Sequence, residues 1–169
     1  MISTNRISLT GALLGLLFIV TSCHPQMSDD LPTSPTISGT PGPVKTGWLT
    51  DFAQAMDAAR RENKTVLLDF TGSDWCGWCI TLRREVFNTV EFQNYAATNL
   101  VLLEADFPQG IPQSEALKKQ NQELLRQCGI EGFPTIIVLN STGKILGRTG
   151  YLPGGPTPFI TQINAIIGK

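Results

Sequence analysis

The sequence predicts an α/β domain in which a central β-sheet, mixed in direction, carries helices on both faces. Three observations predict it. Short, mostly apolar runs recur at Thr65 to Phe70, Leu100 to Ala105 and Pro134 to Leu139, the pattern of buried strands. Amphipathic stretches with helical spacing stand between and after them. Lys144 to Gly150 follows the third run across Asn140-Ser141-Thr142-Gly143, a turn that makes the pair a hairpin.

The elements in chain order begin before this domain. With 169 residues, 41% hydrophobic content and a net charge of −1, the chain suffices for one ordinary domain and an N-terminal extension, and it lacks the basic excess of a nucleic-acid binder. Residues 1–22 hold a lone Arg6 and an uncharged apolar run from Leu9 to Val20. That run is a signal-peptide core, shorter than the roughly 20 residues that span a bilayer. It ends in Val20-Thr21-Ser22-Cys23, which resembles the lipobox of bacterial lipoproteins. The resemblance implies cleavage before Cys23, lipidation of Cys23 and a membrane anchor through that lipid. An ordinary secretory signal is the alternative, and both export the domain to a compartment where disulfides persist.

Residues 24–46 contain five prolines, seven Ser or Thr and two glycines. They bury too little to offset their ordering entropy and read as a tether with a reach of roughly 25 to 30 Å. The folded domain is expected over 47–169. Thr50 is the expected N-cap of a first helix with Phe52, Ala55, Met56 and Ala59 on one face. After the first strand, Cys76 to Asn88 carries Leu82, Val86 and Phe87 at helical spacing. A shorter helix is expected at Glu91 to Ala97, before the second strand. Ser114 caps a helix over 114–127 that sets Leu117, Leu124, Leu125 and Cys128 on one side, Lys, Gln and Asn on the other, and closes at Gly129. The last helix follows Pro156 and Pro158, with Phe159, Ile160, Ile163, Ile166 and Ile167 facing inward.

The chemistry lies in Trp75-Cys76-Gly77-Trp78-Cys79, between a strand and a helix. Two thiols on the first turn of a helix can close a small disulfide, and the free N–H groups of that turn favour a thiolate at the leading cysteine. Cys76 is expected to be the exposed nucleophile and Cys79 the thiol beneath it that resolves a mixed disulfide. Trp75 and Trp78 would restrict access and offer partners an apolar surface. Haem attachment needs a histidine after the second cysteine, where Ile80 stands. A structural zinc site lacks a second cysteine pair. Cu(I) binding by the two thiolates stays open, as does a structural disulfide, although so small a loop gains little from closure.

Taken with Gly132-Phe133-Pro134-Thr135, these residues resemble the thioredoxin superfamily over about 47–169. The resemblance implies a thioredoxin-like fold and a thiol:disulfide oxidoreductase that needs no cofactor or metal. It implies a cis Pro134 opposite the active disulfide, Phe133 in contact with the partner, and Asp69 as a buried acid that assists proton transfer; a hydrogen-bonded structural acid is the other reading of Asp69. The chain departs from ordinary thioredoxins by one more residue between Asp69 and Trp75, by Gly77-Trp78 between the cysteines, and by about a dozen extra residues around 107–125. The lysine that usually accompanies the acid has no counterpart, its place falling near Leu102. These features are similar to small exported thioredoxin-like proteins, including the periplasmic thiol:disulfide interchange (Dsb) group.

The expected function is therefore reduction of disulfides in envelope proteins on the periplasmic side, fed by a membrane electron donor. A disulfide oxidant or isomerase is one alternative, and a Cu(I)-binding envelope lipoprotein is the other. No second domain of the kind through which isomerases dimerise is evident, so a monomer is expected. Cys128, on an apolar helix face, reads as a buried, inert thiol. Asp74 and Glu85 could tune the site or be simply solvated.

Overall fold

The computed structural model describes residues 47–169. The signal segment, Cys23 and the tether lie outside the described residues. In chain order the elements are β1 (Trp48–Leu49), α1 (Phe52–Glu62), β2 (Thr65–Thr71), α2 (Gly77–Leu82), a π-helical turn (Arg83–Phe87), α3 (Val90–Asn99), β3 (Leu100–Asp106), α4 (Glu115–Gln127), β4 (Thr135–Leu139), β5 (Ile145–Thr149) and α5 (Pro156–Ile167). The five strands form one sheet in the order β1-β3-β2-β4-β5. The first three are parallel, and β4 and β5 join antiparallel. The mixed sheet is thus as the sequence predicts. β1, only two residues long, carries no periodicity and was not expected.

Alternation along β2 divides the core. Val66, Leu68 and Phe70 face α1 and α4, packing with Ala55, Met56, Ala59, Leu103 and Leu124. Leu67 faces the other side, with Leu82, Phe87, Phe92, Phe159 and Ile163. Asp69 shares that second face by the period-two rule. Because β2 is central, its C-terminal end opens at the middle of the sheet edge, and the next residues carry the two cysteines.

Several local expectations are corrected. Asp51, not Thr50, caps α1, its carboxylate accepting from the Gln54 N–H at 2.8 Å. The helix expected over Cys76 to Asn88 is α for only six residues and then widens into the π turn, a form often found at functional sites. Asn121, expected on the polar side of α4, is buried and donates to the Asp106 carbonyl at 2.9 Å, which satisfies its amide inside the core boundary. Ser114 does cap α4, and Gly129 adopts the positive φ of 59° that closes it. Among the described residues, no helix is long and apolar enough to cross a membrane.

Candidate active site

Cys76 is the N-cap of α2, and its Sγ accepts from the Cys79 N–H at 3.3 Å. The two sulfurs are bonded, with their Cα atoms 5.2 Å apart, well within disulfide reach. On reduction the same N–H is in place to stabilise a Cys76 thiolate. The expectation of an exposed Cys76 is corrected: it is 7% exposed, against 3% for Cys79. Its backbone N–H bonds back to the Gly72 carbonyl at 2.9 Å and its sulfur turns toward the helix, which draws the disulfide into the surface. Exposure passes to its chain neighbours, Trp75 at 44% and Trp78 at 64%.

Each tryptophan is held by groups distant in sequence. The Trp75 indole donates to the Phe107 carbonyl at 2.7 Å and meets the Phe133 ring edge-on at 5.9 Å. Phe133 in turn stacks on Phe107 at 5.2 Å. A Cβ at Gly72 would stand 2.5 Å from the Trp75 ring, so only glycine lets the loop fold over it. On the other side, Trp78 stacks on Tyr151 at 5.3 Å, and the Tyr151 hydroxyl donates to Glu85 at 2.6 Å. That hydrogen bond is the leading cause of a Glu85 carboxyl held below its ordinary range and a Tyr151 phenol pushed above its own. Sequence reasoning found both tryptophans but missed Phe107 and Tyr151, which carry no motif.

The extra residue before Trp75 has a structural role. Ser73 donates through its N–H and hydroxyl to Asp106, at 2.9 and 2.5 Å. Asp74 accepts from the Gln109 and Gly110 N–H groups at 3.0 and 2.6 Å, clamping the segment after β3 against the cysteine loop. These two backbone bonds hold the Asp74 carboxyl below its ordinary 3.8. The clamp is therefore fully present above that value and is lost as pH falls through the lower folded-state value. Hydrogen exchange at Gln109 and Gly110 is expected to stay slow from neutral pH down to the ordinary carboxyl range and to quicken only in stronger acid. Asp74→Ala should remove protection of both amides at every pH; protection that survives it would show that Asp74 does not hold the segment.

The Phe133-Pro134 peptide is cis, as the resemblance implies, and the Phe133 contact brings it against the cysteine loop. Asp69 is 2% exposed and in register with Glu104 on β3 and Ile136 on β4. On β3 the register partner of Asp69 is Glu104, while Leu102 pairs with Leu67. Glu104 makes an ion pair with Arg83 of the π turn. Cys128, expected to be buried, is only partly so; burial raises its thiol above its ordinary range, which keeps it protonated and slow to react.

A disulfide seated between the end of a central parallel strand and a helix, with a cis proline beside it, defines a thiol:disulfide oxidoreductase. The family model described as a thioredoxin-like domain matches residues 52–157. The chain belongs to this thioredoxin-like family. It is 35% identical over 116 residues to the disulfide bond reductase DsbH of Chlamydia pneumoniae, covering 69% of this chain and 70% of that one. It is 29% identical to the thioredoxin-related protein DsbJ of the same organism, over 61% of this chain and 30% of the relative. Among solved structures, a DsbH oxidoreductase matches with a TM-score of 0.68 at 31% identity, covering 83% of this chain and 94% of that one. A thioredoxin from Thermus thermophilus, at 17% identity and a TM-score of 0.54 over 71% of this chain and 85% of that one, shares the fold.

Proposed function

We propose that this protein is an exported disulfide reductase, held at the periplasmic side of a bacterial envelope membrane by a lipid on Cys23. The reading rests above all on the Cys76–Cys79 disulfide at the head of α2 in a chain 35% identical to a disulfide bond reductase. In it the Cys76 thiolate attacks a substrate disulfide and Cys79 resolves the mixed disulfide, while Asp69 takes up the Cys79 proton. Pro134 and Phe133 position the incoming chain, and Trp75 and Trp78 form the apolar surface it meets. Substrates are disulfide-containing envelope proteins, and a membrane donor of the thiol-exchange type restores the dithiol; the protein works as a monomer.

Electron flow is decided by the reduction potential. Related Cys-x-x-Cys folds span about −270 to −120 mV, a range of roughly 7 kcal/mol for a two-electron couple. Equilibration of the full-length protein with glutathione or dithiothreitol buffers is expected to give a value near the reducing end. One near the oxidising end would make it a disulfide donor or isomerase instead. The anchor has its own test: mass spectrometry should find a diacylglyceryl group on an N-terminal Cys23, and a mature N-terminus elsewhere would exclude it.

A further inference from the structure

Exposed large apolar side chains gather around the disulfide. Among the described residues, Trp75, Trp78 and Ile80 leave 44%, 64% and 44% of their surface open, and all three stand close to Cys76 in the chain. An exposed apolar cluster beside a reactive group marks a contact surface. Trp78, the most open of the three, is fixed from outside its own helix. Tyr151, between β5 and α5, stacks on it at 5.3 Å with the ring planes 30° apart. Tyr151 also packs against the core that contains Phe159 and Ile163, and its hydroxyl donates to Glu85 at 2.6 Å. Glu85 lies on the π turn and pairs with Arg84 at 2.9 Å. The aromatic pair is thus tied to the π turn and to the core under α5, not to α2 alone.

A tryptophan so open would ordinarily sample several rotamers. The stack selects one, covering one face of the indole and leaving the other to solvent. A ring fixed before contact lowers the ordering cost of whatever binds it. Cys76 is only 7% exposed, so a substrate sulfur reaches it on an extended, protruding segment, and the side chains beside the substrate cysteine come to rest on the rings around the disulfide. Charge narrows the choice of side chain. An open indole face attracts cations as well as apolar groups, but Arg84, 69% exposed and bonded to the carboxylate that holds the stack, repels a substrate cation. Glu85 cannot compensate, being shared between Arg84 and Tyr151. An aliphatic or aromatic side chain suits the open face best.

We propose that Tyr151, held by Glu85, is a positioning residue that fixes Trp78 as the seat for an apolar side chain next to the substrate cysteine. The protein thereby selects disulfides on extended segments whose cysteine has an aliphatic or aromatic neighbour. This deepens the reductase reading and rests on it for the reaction. The Cys76 thiolate forms a bond to one substrate sulfur while the substrate disulfide breaks and the other sulfur leaves as a thiolate. Cys79 then bonds to the Cys76 sulfur, the bond from Cys76 to substrate breaks, and the second substrate sulfur leaves as a thiolate. The Cys79 proton passes out to water, and two electrons move from the dithiol to the substrate. The seat is filled before any sulfur exchanges, so its loss is felt in KM and not in kcat.

The test uses the full-length protein, with dithiothreitol returning electrons, and two peptides that differ only in a leucine or a serine beside a cysteine held in a mixed disulfide with a chromophoric aryl thiol. The leucine peptide is expected to show a KM about tenfold lower. Tyr151→Leu should raise that KM about three- to tenfold with kcat little changed, and Trp78→Ala should bring the two peptides together. Tyr151→Phe keeps the stack and should restore most of the preference. What it still lacks should equal the loss in Glu85→Ala, and the double variant should lose no more. Equal KM values for the two peptides in the unaltered protein would overturn the proposal. So would a lower KM for a third peptide with arginine at that place, or a Tyr151→Leu effect that falls alike on both peptides, as a loosened fold would produce. Failure of the reductase reading would appear separately, as an oxidising potential with the leucine preference intact.

Discussion

Replacing Cys79 by Ser is expected to stop turnover and leave the protein covalently joined to its substrates through Cys76. The first exchange needs only the Cys76 thiolate, which the Cys79 N–H supports through the backbone whatever the side chain. The second needs a thiol already beside the mixed disulfide, and the 5.2 Å Cα separation supplies it. Such intramolecular placement is worth effective concentrations of about 10⁵ M or more, so an external thiol at millimolar level cannot replace it. Reductase activity should fall by at least about a thousandfold, with adducts visible on non-reducing gels and mapped to Cys76 by mass spectrometry. Cys76→Ser should give the same loss without adducts. Trapping through Cys128, or through Cys79 in the Cys76→Ser protein, would reverse or void the assigned roles.

The largest effect on stability is expected at Phe159. This fully buried ring meets Phe87 at 5.6 Å and Phe92 at 5.9 Å, both near edge-on, and those two rings lie 5.0 Å apart. The cluster joins α5 to α3 and to the π turn, so an emptied Phe159 site borders three elements that cannot all close inward. Phe159→Ala should cost about 3 to 5 kcal/mol, a transfer loss plus a cavity. That corresponds to a drop in Tm on the order of 10 °C or more. Phe159→Leu, which retains most of the volume, should cost about 1.5 kcal/mol or less. A loss under about 1 kcal/mol for the alanine variant would show that the cluster relaxes around the gap.

The Phe159 position was legible in advance from the spacing of Phe159 and Ile163, and so were the strands on either side of the site. Runs such as Thr65 to Phe70 and Pro134 to Leu139 declare themselves by composition, and Ser114 and Gly129 mark the ends of α4 by local backbone needs. What the resemblance added, a cis Pro134 beside the cysteines, is present in the structure. The exposure of Cys76 was misjudged because it depends on how residues 72–78 fold back on themselves, not on the helix start alone. Glu104 as the register partner of Asp69 was not foreseen because counting along the chain does not give a register.

By itself the sequence determined the mixed α/β architecture, the Cys-x-x-Cys pair at a helix start and the pairing of faces along each element, since all of these follow from periodicity, capping and the chemistry of neighbouring residues. Only the tertiary structure decided that Asp69 meets Glu104, that Arg83 reaches it from a π turn, that Asp74 clamps the segment after β3 and that Tyr151 supports Trp78. These contacts join residues 21 to 73 positions apart. No local pattern encodes them, because each depends on strand register and helix packing that are settled only when the whole core closes.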